Sequence, residues 1–142
     1  MIVPARFFDV EYNAERYPGA PSVVGADLLH GGANCQLFAY ELLRANGLCP
    51  PALRSSELWS DEAATEVVHE FEPLDLLLFN RTPDAYGAHV AVYVGDGRAI
   101  HLSRSVGRAA IWTIDEFLAT PEYRCLIGAK RVRARSIDPQ NP

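Results

Sequence analysis

Residues 88–103 constrain the fold more than any other stretch of this chain. Ala88 to Val94 alternates, with His89, Ala91 and Tyr93 on one side and Val90, Val92 and Val94 on the other. Such alternation marks a half-buried strand. Gly95-Asp96-Gly97 reads as a hairpin turn, and Arg98 to Ser103 as the return strand. The turn sets which residues share a face. A two-residue loop would place His89 with Ile100 and Leu102 and turn His101 away. A three-residue loop pairs Val94 with Arg98, sets Ala91 opposite His101 and makes His89 its diagonal neighbour. Only the second keeps the three valines with Ile100 and Leu102, so the apolar pattern selects it. Diagonal partners lie ~7–8 Å apart, within reach of two imidazoles. Two histidines on one sheet face, with a small residue between them, point to a site.

A second stretch offers a partner. Gly31-Gly32-Ala33-Asn34-Cys35 opens into a helix running to Asn46-Gly47. Asn34 is a good N-cap. Cys35, Phe38, Leu42 and Ala45 form the buried stripe, with Glu41 and Arg44 on the wet side. Gly47 and Pro50-Pro51 stop the helix. Cys35 therefore sits on the first turn, where free amides and the helix dipole favour a thiolate. A small buried thiol is the competing reading of that position. A cysteine nucleophile needs a base and a group that orients the base, and His89 and His101 can supply both. Zinc prefers four ligands, and only His30 is available as a fourth, which leaves a metal centre the weaker reading.

The rest of the chain is read around these two stretches. Residues 1–24 form an irregular arm with one helical turn. Residues 50–73 are a connector, in which Ser60-Asp61-Glu62 begins a short helix through Ala64. Leu74 to Phe79 is an apolar strand after Pro73. Thr113 and Glu116 make a capping box for a short helix through Leu118. Arg124 to Val132 is a last strand, and Ser136 to Pro142 a frayed tail. One helix followed by sequential antiparallel strands is an α+β layout. The arm and the Thr113 helix are the pieces available to cover the valine face. The histidine face is expected to look at the first turn of the Cys35 helix.

Composition narrows the function classes. The net charge of −5 over 142 residues disfavours nucleic acid or an anionic membrane as a main partner. No apolar run approaches a membrane span of about 20 residues, and the first residues do not read as a signal peptide. Three cysteines, Cys35, Cys49 and Cys125, cannot all pair and match no zinc spacing. A reducing cytoplasm is the simplest setting, with export by a signal-independent route as the alternative.

Three places together resemble the NlpC/P60 family of papain-like cysteine peptidases. They are the helix-start cysteine after Gly31-Gly32, the Pro73-Leu74-Asp75-Leu76 strand entry, and the hairpin from His89-Val90-Ala91-Val92-Tyr93 to Ile100-His101. The resemblance covers about Leu28 to Arg133. It implies a catalytic helix packed on an antiparallel sheet of about five strands, in a single domain over 1–142 with its core at about 25–133. It implies Cys35 as nucleophile, His89 as base and His101 as third catalytic residue, with no metal or cofactor, hydrolysing amide bonds in murein peptides. Arg54-Ser55-Ser56 resembles the family's Arg-Thr-Ser segment at the cleft. The backbone amide of Cys35, with a donor from Asn34 or Gln36, is expected to form the oxyanion site. Three departures stand out. Asn34-Cys35-Gln36-Leu37 replaces Asp-Cys-Ser-Gly, Leu28 stands where a tyrosine is usual, and Leu74 replaces the glycine of Pro-Gly-Asp. Tyr12 or Tyr17 is the candidate to replace the tyrosine. The competing functions are an acyl or amide transferase with the same thioester chemistry, and a catalytically silent binding domain.

Overall fold

The computed structural model of the chain describes residues 1–23 and 28–133. The expected tail lies outside the described residues. Six strands form one sheet: β1 Thr65–Val68, β2 Leu76–Asn80, β3 His89–Gly95, β4 Arg98–Leu102, β5 Ala109–Thr113 and β6 Cys125–Val132. Their order is β1-β6-β2-β3-β4-β5, and every neighbouring pair is antiparallel. The three helices are α1 Cys35–Ala45, α2 Ser55–Ser60 and α3 Ile114–Leu118. The layout is α+β, with six strands where about five were expected. The two edge strands, β1 and β5, went unread because each is only four or five residues long and half exposed, so neither shows a clear period.

The hairpin register follows the valines. Val92 pairs with Ile100 and Tyr93 with Ala99, as the three-residue loop requires. The turn itself differs. Gly95 pairs with Arg98, so Asp96-Gly97 is a two-residue turn, and both residues have positive φ, 55° and 71°. That is the backbone of a turn whose twist suits a hairpin. A bulge between Tyr93 and Gly95 absorbs the extra residue and restores the other register inward.

The two faces of the sheet are covered the opposite way round from expectation. Val90, Val92, Ile100 and Leu102 pack with Leu37, Phe38, Leu42 and Leu43 of α1, and Phe7 and Val10 of the arm join them. The histidine face, with Leu77, Phe79, Ala91 and Ala99, is covered by Phe117 of α3. Alternation tells which residues share a face, but apolar volume decides which layer covers it. The continuous Val/Ile/Leu surface needs the larger helix, while α3 brings a single buried phenylalanine. The buried set of α1 is also wider than one stripe, and Ala45 is exposed. The arm packs on its outer side, where Phe7 meets Phe38 edge to face at 5.5 Å.

Local chemistry accounts for the element ends. Asn34 Oδ1 accepts from the amides of Gln36 at 3.1 Å and Leu37 at 2.8 Å, capping α1. At the other end Leu48 N donates to Leu43 O and Gly47 N to Arg44 O, a Schellman closure. Thr113 and Glu116 form the expected capping box of α3. Ser60 does not start a helix but ends α2. The carboxylate of Asp61 instead accepts from Ala64 N and Thr65 N and turns the chain into β1. Asp75, 1% exposed, meets Arg131 in a two-pronged pair at 2.8 and 2.9 Å, tying the entry of β2 to β6. Leu74 stands beside it at φ 79°, in the left-handed region. Among the described residues no helix is long and apolar enough to cross a membrane.

Candidate active site at the start of α1

The cysteine loop is held from upstream. Tyr12 bridges Ala33 in parallel, with Ala33 N donating to Glu11 O at 3.0 Å and Asn13 N to Ala33 O at 2.8 Å. Arg16 is buried and has its guanidinium surrounded by carbonyls: Nε donates to Gly32 O at 2.7 Å, and the other nitrogens reach Ser22 O and Leu28 O. Its own carbonyl accepts from Asn34 N at 2.8 Å. Gly32 has no alternative here. Its φ is +90°, and a Cβ would stand 2.5 Å from Glu11 O. The irregular arm, described over residues 1–23, is therefore the mould in which the cysteine loop is set.

Cys35 emerges from that mould onto the first turn of α1. Burial pushes its thiol pKa up. The backbone amide of Val90 on β3, the positive charge of Arg54 and the amides of Gln36 and Cys35 itself pull the other way. The sulfur thus faces β3 one residue after His89. α1 itself packs on the face of the sheet opposite the histidine pair.

His89 and His101 are both buried, and they meet. His89 Nε2 lies 2.8 Å from His101 Nδ1, with the rings nearly perpendicular at 86°. Burial lowers both pKa values, that of His101 to about 4. The proximity of His101 further lowers that of His89. His101 Nε2 is buried without a hydrogen-bond partner among the described residues.

Three further residues surround the pair, and none had been singled out. Tyr123 stacks on His89 at 4.3 Å and 21°. Trp112 and Phe117 stand against His101 at 4.3 and 4.5 Å. Burial raises the Tyr123 pKa, a hydrogen bond to the Ser103 side chain opposes the rise, and the nearby Cys35 and Tyr12 add to it. The pattern that could have exposed them is the aromatic spacing of Trp112, Phe117 and Tyr123, which reads equally well as ordinary core.

The other expected site residues divide. Arg54 is exposed at the start of α2, lies 4.2 Å from the centre of the Tyr17 ring and acts on the Cys35 thiol through its charge. Ser55 is buried and Ser56 partly exposed beside it. Gln36 is withdrawn from the oxyanion role. Its amide nitrogen donates to Tyr40 Oη at 2.8 Å and Leu53 O at 2.7 Å, which uses both protons. Asn34 spends its side-chain oxygen on the cap. Of the tyrosines, Tyr12 lies near Tyr123, and Tyr17 carries Arg54.

This fold has a solved neighbour. The chain is similar to an NlpC/P60 family protein from Bacillus cereus ATCC 10987, with a TM-score of 0.50 and 27% identity. The match covers 71% of this chain and 32% of the neighbour, so the chain spans about a third of that protein's length. No family model and no curated protein matches the sequence. The neighbour is a member of the family that the cysteine loop and the histidine hairpin resemble.

Proposed function

We propose that the protein is a cysteine amidohydrolase acting through a Cys35–His89–His101 triad. The observation that carries this reading is the 2.8 Å contact of His89 Nε2 with His101 Nδ1. It engages one nitrogen of His89 and leaves Nδ1 for the thiol proton of Cys35. The likeness to the NlpC/P60 protein from Bacillus cereus supports the same chemistry.

Because burial raises the thiol and lowers His89, the resting pair is neutral. The proton then moves to His89 Nδ1 as sulfur attacks the amide carbonyl. The backbone amide of Cys35, which the Asn34 cap does not use, donates to the tetrahedral oxyanion. Its collapse breaks the C–N bond, and His89 returns the proton to the departing amine. Water, deprotonated by His89, then cleaves the thioester and frees the acid and the thiol. His101 orients His89 throughout. Arg54, supported by Tyr17, suits a carboxylate near the scissile bond, as in a murein tripeptide or tetrapeptide.

The test is a panel of murein peptides against unrelated acyl amides, followed by amine release, with iodoacetamide labelling at neutral pH. Cys35 should label before Cys49 and Cys125, and Cys35→Ala should abolish turnover while keeping the fold. Labelling of Cys49 or Cys125 first, or turnover that survives Cys35→Ala, would overturn the proposal.

A further inference from the structure

The unpartnered nitrogen of His101 has a consequence for the chemistry of His89. We propose that Trp112 and Phe117 form an aromatic box that keeps the proton on His101 Nε2, and that this makes Nδ1 of His89 its bare, basic nitrogen. The inference rests on the amidohydrolase reading for its functional meaning, though not for its geometry.

Two arrangements of protons fit the 2.8 Å contact. In one, His101 Nδ1–H donates to His89 Nε2. His89 then carries its proton on Nδ1 and cannot accept another while neutral. In the other, His89 Nε2–H donates to His101 Nδ1. His89 Nδ1 is then bare, and His101 carries its proton on Nε2. The surroundings of His101 Nε2 choose between them. The atom is buried and no described residue supplies a donor or acceptor to it. Its ring instead stands edge to face with Trp112 at 65° and Phe117 at 61°. Aromatic faces carry negative charge, so they attract an N–H and repel a lone pair. A bare Nε2 would meet no donor among the described residues. The box therefore favours the second arrangement, and the effect passes through one hydrogen bond to the far side of His89.

Trp112 and Phe117 act here as positioning residues. Trp112 is half-buried at the end of β5, which makes it the better target for substitution than the fully buried Phe117. The experiment is long-range 1H–15N correlation spectroscopy of histidine-labelled full-length protein near pH 7. Both His89 and His101 should appear protonated on Nε2. In Trp112→Leu the His101 signals should shift toward a mixture of tautomers, and Cys35 alkylation should slow about tenfold. That is well short of the roughly 10⁴ that a wholly wrong tautomer costs in a related triad. Trp112→Phe should restore both. A wild-type spectrum with His101 protonated on Nδ1 would overturn the inference. So would a Trp112→Leu protein whose tautomers and alkylation rate match wild type. If that variant does not fold, the wild-type spectrum alone decides. Inert Cys35 with the stated tautomers would sink the amidohydrolase reading and leave this one standing. Reactive Cys35 with the opposite tautomers would do the reverse.

Discussion

Two imidazoles sealed among aromatic rings tie stability to pH. His101 titrates at about 4 in the folded protein and near 6.5 when unfolded. Between these values the unfolded chain binds more protons, so stability rises with pH. The contribution is whole above pH 6.5 and is lost as pH falls to 4, by up to about 3 kcal/mol. Urea midpoints at pH 7 and pH 4.5 should therefore differ strongly, and His101→Asn should flatten the difference; an equal slope in the variant would contradict the burial argument. Activity should separate the two histidines. His89→Ala removes the base and should be severe, whereas His101→Gln keeps an oxygen for the His89 N–H and should retain part of the rate. Equal kcat/KM values for those two proteins would argue against the division of roles. Cys35, His89 and His101 were readable because the first follows a cap and the others lie on one side of a period-two pattern. Tyr123, Trp112 and Phe117 were not, since an aromatic that faces a site and one that faces a core look the same in sequence.

At the scale of elements, Leu74 provides a sharp test of strain. A left-handed leucine costs about 1–2 kcal/mol, while glycine at the same place loses about 0.5–1 kcal/mol of chain entropy on folding. Leu74→Ala keeps the strain and sheds packing, so it should fall about 1–2 kcal/mol below wild type. Leu74→Gly should be the more stable of the two. Alanine outranking glycine in chemical denaturation would remove the strain claim. The resemblance to NlpC/P60 marks this position as one where glycine is usual, and a positive φ suits that residue. Cap chemistry made α1 and α3 readable at both ends. The strand pattern carried β2, β3, β4 and β6. It failed at β1 and β5, which are short and half exposed, and at Ser60-Asp61-Glu62. A helix and a carboxylate-capped turn both begin with that Ser-Asp pairing, and only the destination of the chain separates them. Asn34→Ala should cost about 1 kcal/mol and slow alkylation of Cys35, because the cap also orients the first turn. A loss of stability with an unchanged alkylation rate would show that the turn is held by other means.

On the scale of the whole molecule, the first twenty residues belong to the structure that presents the cysteine. Phe7 and Val10 sit in the core, and Arg16 holds the loop before Cys35. A protein trimmed to residues 25–142 should lose cooperative unfolding and preferential labelling of Cys35 together, measured by urea titration and mass spectrometry. A trimmed protein that kept both would show the mould to be dispensable. The sheet order has a different kind of consequence. β6, the last strand among the described residues, lies between β1 and β2, one place in from the sheet edge. During synthesis the apolar edge of β2 therefore waits open until residues 125–132 leave the ribosome. Trp112, Phe117 and Tyr123 also emerge after Cys35, His89 and His101. A nascent chain that already exposes Cys35 does not yet hold its histidine pair among these rings. A chain stopped before β6 is therefore a candidate for aggregation rather than for stray reactivity.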